Sequence, residues 1–151
     1  MIKKLLMAFV LVFGLSGCVT MADRTSGPDY ELIEIGAMAS MAILVNEIEI
    51  DDASLVATYD RLQAVHNTLT CIGNCPTFDL VIMETMIMQA LPIEYQALGT
   101  AAIRLVKSRA SLYLDAKLPD SENVALIKKI SASVVMGMVQ AMAPKVHQIR
   151  G

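Results

Sequence analysis

From Asp29 onward apolar side chains recur every three or four positions, the spacing of helices, and no long stretch alternates with the two-residue period of a strand. Pro28 and Asp29 open a first helix, with Glu31 and Glu34 placed near the positive end of its dipole. Along it Leu32, Ile35, Ala39, Ala42, Ile43 and Asn46 follow one face. Ile33, Met38, Met41, Leu44, Val45 and Ile48 fill much of the rest. A helix apolar nearly all round is expected to be surrounded by protein. Asp51, Asp52 and Ser54 then offer caps for an amphipathic second helix over residues 53–69, with Leu55, Leu62, Val65 and Leu69 inward and Asp60, Arg61, Gln63 and Asn67 outward.

A third helix is predicted over residues 78–91, with Thr77 or Asp79 near its start and Pro92 at its end. Pro92 also suits the first turn of a fourth, over 93–117, because its missing N–H costs nothing there. In that helix Arg104, Lys107, Ser108 and Ser111 form a polar stripe opposite Leu98, Ala102, Leu105, Leu112 and Tyr113. Pro119, Asp120 and Ser121 break the chain again, and a last helix over 122–142 is expected to end or kink at Pro144. Ser133, Gly137 and Ala141, four residues apart, form a small-residue groove for a close neighbour. The expectation is an all-α fold, a compact bundle of about five helices in one domain over 29–151. The first, third and fifth helices carry more apolar surface than one buried stripe needs, so part of it is expected to face another copy, a partner or the membrane.

Ahead of this domain lie Lys3 and Lys4, an unbroken apolar run at 5–13, and small residues leading to Cys18. Even extended to Leu15 the run is eleven residues, whereas a membrane-crossing helix needs about 20, so it reads as the core of a secretory signal. Leu15-Ser16-Gly17-Cys18 resembles the lipobox of bacterial lipoproteins at all four positions. The resemblance covers only the export signal. It implies cleavage between Gly17 and Cys18, acylation of Cys18 on its sulfur and amine, a signal peptide over 1–17, and a lipidated cysteine with a polar tether over 18–28. Several acyl chains hold such a protein at the bilayer, which makes the membrane its first partner. Val19 stands where retention in the inner membrane favours Asp, so the family's rule points to the outer membrane, facing the periplasm.

Loss of the first 17 of 151 residues leaves 134, enough for one core, with ten basic against fifteen acidic side chains. A net charge of −5 gives no reason to expect nucleic acid as a partner. The charges are unevenly spread: residues 23–61 sum to −7, 62–103 to −3 and 104–151 to +5. That pattern suits an acidic first half packed beside a basic last half, or a basic face meeting anionic lipid or an acidic partner.

Removing Cys18 from the thiol inventory leaves Cys71 and Cys75, which outside the cytoplasm read as a disulfide stapling a turn. The C-x3-C spacing is not that of a redox motif, and zinc would need two more ligands, which the isolated His66 and His147 do not supply in paired spacing. Methionine is abundant, with nine in the mature chain, and thioethers bind Cu(I), so Met83, Met86 and Met88 are the sharpest metal candidate. At 100° per residue Met88 lies about 140° from Met83, which favours methionine as core filler. Nucleophile elbows, phosphate loops and H-E-x-x-H are absent from the sequence, and aromatics make up 5% with no tryptophan. The composition and motifs point to a non-enzymatic structural, assembly or accessory factor with no cofactor, acting through a protein partner or a homo-oligomer. The alternative is a periplasmic Cu(I)-binding protein.

Overall fold

The computed structural model describes residues 28–72, 78–113 and 120–151. Among them are five α-helices and no strand: α1 (Tyr30–Glu47), α2 (Asp52–Leu69), α3 (Leu80–Ala90), α4 (Gln96–Tyr113) and α5 (Asp120–Arg150), with a 3-10 turn at Ile93–Tyr95 before α4. The fold is an all-α bundle. The signal and tether expected over 1–27 lie outside the described residues.

Three helices start in one way. An aspartate in extended conformation accepts the backbone N–H three residues ahead: Leu32 to Asp29 at 3.0 Å, Ser54 to Asp51 at 2.9 Å, and Ile82 to Asp79 at 2.8 Å. Each bond satisfies an amide that the first turn would leave without a partner. At Asp51 the Ser54 hydroxyl donates as well, at 2.6 Å, and this pair of bonds holds the carboxyl below its ordinary value.

The last helix is the post of the bundle: α5 lies along α1 and α2 and also touches α3 and α4. Glu34 meets Gln140 near one end of the α1–α5 contact, and the Val45 carbonyl meets Lys145 at the other, so α1 and α5 run in the same direction. Gly137 permits this approach. A Cβ there would collide with the Glu34 carbonyl oxygen and sit 2.8 Å from Met38 N and 2.9 Å from Ala37 Cβ. Gly137, the middle residue of the small-residue groove, is thus seated against α1.

Pro144 does not end α5, which continues to Arg150. Proline removes one backbone hydrogen bond, and the turns on both sides are anchored from outside the helix. Met142 and Val146 are fully buried, Lys145 donates to the Val45 carbonyl at 3.4 Å, and Arg150 pairs with Asp60. By length and composition Ser121–Arg150 would also suffice to cross a membrane, but half of its most apolar window is buried by the other helices, as in a core helix.

The fourth helix differs from expectation at its start. Residues 93–95 form a 3-10 turn, α4 is described to Tyr113, and 114–119 are outside the described residues. Leu98, Ala102, Val106 and Ala110 form its buried stripe, whereas Leu112, expected inward, is exposed. In the turn Tyr95 is fully buried, its hydroxyl directed at the Ile48 carbonyl at 3.4 Å, which ties the α3–α4 junction to the end of α1. Burial, with Glu94 adding to it, raises the Tyr95 pKa.

Candidate interaction surface

The interior offers little polar chemistry. Ser40, Thr58 and Ser131 are the buried polar residues among those described, and each donates its hydroxyl to the carbonyl four residues back on its own helix, at 2.9, 2.7 and 2.7 Å. Such bonds satisfy each hydroxyl within its own helix. Among the described residues no group of three His, Cys, Asp or Glu side chains is placed to hold a metal ion.

The most connected polar cluster fastens the end of α5 to α2. Arg150 reaches both oxygens of Asp60, at 2.6 and 2.7 Å, and lies 5.7 Å from the Tyr59 ring centroid. His147 meets the same ring edge-on at 6.5 Å, and Gln63 donates to the Tyr59 hydroxyl at 3.0 Å. Lys107 pairs with Glu84 between α4 and α3, and Lys128 lies over the Phe78 ring. These contacts join bases of the last third to acids and aromatics of the earlier helices. Part of the charge asymmetry is therefore spent inside the fold.

The methionines divide between core and margin. Met83, on α3, is fully buried, and its sulfur lies 2.8 Å from the Ser131 hydroxyl on α5. The Met88 sulfur instead lies where a Cβ on Gly99 of α4 would be, 2.9 Å away, and Met86 is half-buried against the core. Met83 and Met88 thus direct their sulfurs at different helices. Cys71 is half-buried just past the end of α2, its N–H donating to the Thr68 carbonyl at 3.4 Å, while Cys75 lies outside the described residues. Gly17 and Cys18 lie outside them too.

What the structure leaves open is apolar surface. On α1, Ile33, Ala37, Met41 and Leu44 are buried, but Leu32 is 36% exposed and Ile35 48%. Gly36, Ala39, Ala42 and Ile43 on this outer face are only half-covered, and Asn46 is exposed. A Cβ added at Gly36 would meet nothing within 4 Å. Thus α1 is not surrounded by protein among the described residues: one apolar face is packed and the other is open. The third helix repeats this on a smaller scale, burying Met83 and Ile87 while Val81 and Ile82 are exposed. Seven large apolar side chains are exposed among the described residues, and four of them lie on these two helices. The sequence showed an excess of apolar surface on both. It could not show which face would be left over.

No family model, no curated protein and no solved structure matches the chain.

Proposed function

We propose that this chain is a bacterial envelope lipoprotein, anchored through acylated Cys18 to the periplasm-facing leaflet of the outer membrane and acting by protein contact rather than catalysis. One observation carries the reading: Lys3 and Lys4, the apolar run at 5–13 and Leu15-Ser16-Gly17-Cys18 stand in the order that export and lipid attachment require. The open apolar face of α1 supports the contact role. It begins at Leu32, fourteen residues after Cys18, so the tether keeps it near the bilayer surface. Cys71 and Cys75 serve as a local disulfide that closes the turn after α2 in the oxidising periplasm.

Metabolic labelling with a palmitate analogue, followed by membrane fractionation, tests the anchor. The expected result is a labelled wild-type chain in the outer-membrane fraction and no label on Cys18→Ala. Label that persists on Cys18→Ala, or an unlabelled wild-type chain, would overturn it.

A further inference from the structure

The directions of the helices give the molecule two unlike ends. Gly137 of α5 lies against Glu34 and Met38 of α1, and the two helices run the same way, so the first turns of α5 overhang the start of α1 by about 15 Å. The third helix starts beside this overhang and runs with α5: Lys128 lies over the Phe78 ring, and Ser131 meets the Met83 sulfur. The fourth returns antiparallel to the third, with Lys107 paired to Glu84 and Gly99 against the Met88 sulfur. The start of α3 and the end of α4 are therefore gathered at the end of the bundle where α1, and the tether before it, begins.

That end is apolar at its surface. Val81 is 70% exposed and Ile82 37% in the first turn of α3, and Leu112 is 52% exposed in the last turn of α4. Lys128 and Lys129 there offset Glu122 and the capping Asp79, which leaves the apolar side chains to make any contact. The opposite end is acidic. Glu47, Glu49, Asp51 and Asp52 surround the turn between α1 and α2, and Glu94 joins them because Tyr95 directs its hydroxyl at the Ile48 carbonyl. All five acids are exposed. The bases nearest to them are engaged within the fold: Lys145 bonds to the Val45 carbonyl, and Arg150 pairs with Asp60.

We infer that the apolar end rests in the interfacial layer of the bilayer that carries the anchor, with the acidic end held away from it. This rests on the lipoprotein reading above, and the tether selects the occupant. Residues 18–28 reach about 36 Å when extended, more than the overhang of α5, so Cys18 enters the lipid while Val81, Ile82 and Leu112 touch it. For the acidic end to touch instead, the tether would have to run back along the whole of α1, about 27 Å, and five carboxylates would meet anionic head groups. Valine, isoleucine and leucine gain by leaving water at an interface, whereas the carboxylates lose hydration there.

The test places a benzoylphenylalanine photo-crosslinker at Val81 or Leu112 of the full-length chain in its native membrane, with Ile93, 77% exposed at the opposite end, as the control position. The expected result is lipid adducts by mass spectrometry from Val81 and Leu112 and none from Ile93. Val81→Asp combined with Leu112→Asp should abolish the lipid adduct formed from Ile82 while leaving the thermal unfolding of the domain unchanged. Adducts to a protein in place of lipid, lipid adducts of equal yield from Ile93, or no lipid adduct from a chain that still carries palmitate would overturn the orientation. Lipid adducts from Val81 and Leu112 on a chain without palmitate would instead overturn the anchor and leave the apolar end as the membrane contact.

Discussion

The two faces of α1 have nearly the same chemistry and opposite fates. On the inner face Ile33, Ala37, Met41 and Leu44 are sealed against the bundle, and Gly137 of α5 comes so close that no side chain fits at that position. On the outer face Leu32, Ile35 and Ala39 are no less apolar, yet Gly36 faces open space. The difference comes from the partner. Gly137 gives α5 a notch, and a helix that enters a notch gains dense dispersion contact along its whole length. Once α5 has taken one face, the described helices leave none to take the other. An apolar helix face is therefore informative about function only after the protein's own core has been assigned.

Substitutions that exploit this contrast should separate widely. The largest expected effect is at Met41, fully buried on the inner face, where Met41→Ala should cost about 2–5 kcal/mol in urea unfolding of dilute protein. Ile35→Ala, on the outer face, should stay within about 0.5 kcal/mol of wild type; equal losses would mean that both faces are packed. A smaller effect, about 1 kcal/mol, is expected from Asp79→Ala, which removes the cap of the helix carrying the second open patch. Increased labelling of that helix by hydroxyl radicals would locate the loss there.

Tyr95 tests the junction beside the end of α1. Its pKa is raised in the fold, so its contribution is complete below its ordinary value of 10.0 and is lost as pH climbs through the raised one. Wild type should lose stability in that alkaline range and Tyr95→Phe should lose less; parallel pH profiles would contradict its burial. A small effect also belongs to the clasp at the end of α5. Arg150→Ala should cost less than about 1 kcal/mol, since both partners are well exposed, and the difference should shrink in high salt. A salt-independent loss would mean that Arg150 acts through its packing on Tyr59.

Much of the fold was legible because the relevant forces are local. Asp29, Asp51 and Asp79 each cap the helix they precede, and the second helix buries Leu55, Leu62, Val65 and Leu69 while Asp60, Arg61, Gln63 and Asn67 are exposed, as periodicity required. Where the fold departed from expectation, tertiary contacts decided. Burial of Val146 and the grips of Lys145 and Arg150 carry α5 past Pro144, where sequence punctuation alone allows either a stop or a kink. Leu112 was assigned to the core by its own helix's pattern, but the neighbours of α4 cover the stripe through Val106 and Ala110 instead. The interaction surface was legible only as an excess. Leu32 and Ile35 differ from Ile33 and Met41 in nothing but which side of the helix α5 occupies.

The most direct test of the sealed and open faces compares Gly36→Ala with Gly137→Ala in one chemical denaturation experiment on dilute protein. Each change should add about 0.5–1 kcal/mol by relieving the cost of glycine in a helix, and where the added methyl meets nothing that gain should be visible. The account predicts a stabilised Gly36→Ala and a Gly137→Ala destabilised by about 1–3 kcal/mol, because the methyl must push α1 off α5. Two changes of the same sign and similar size would contradict it.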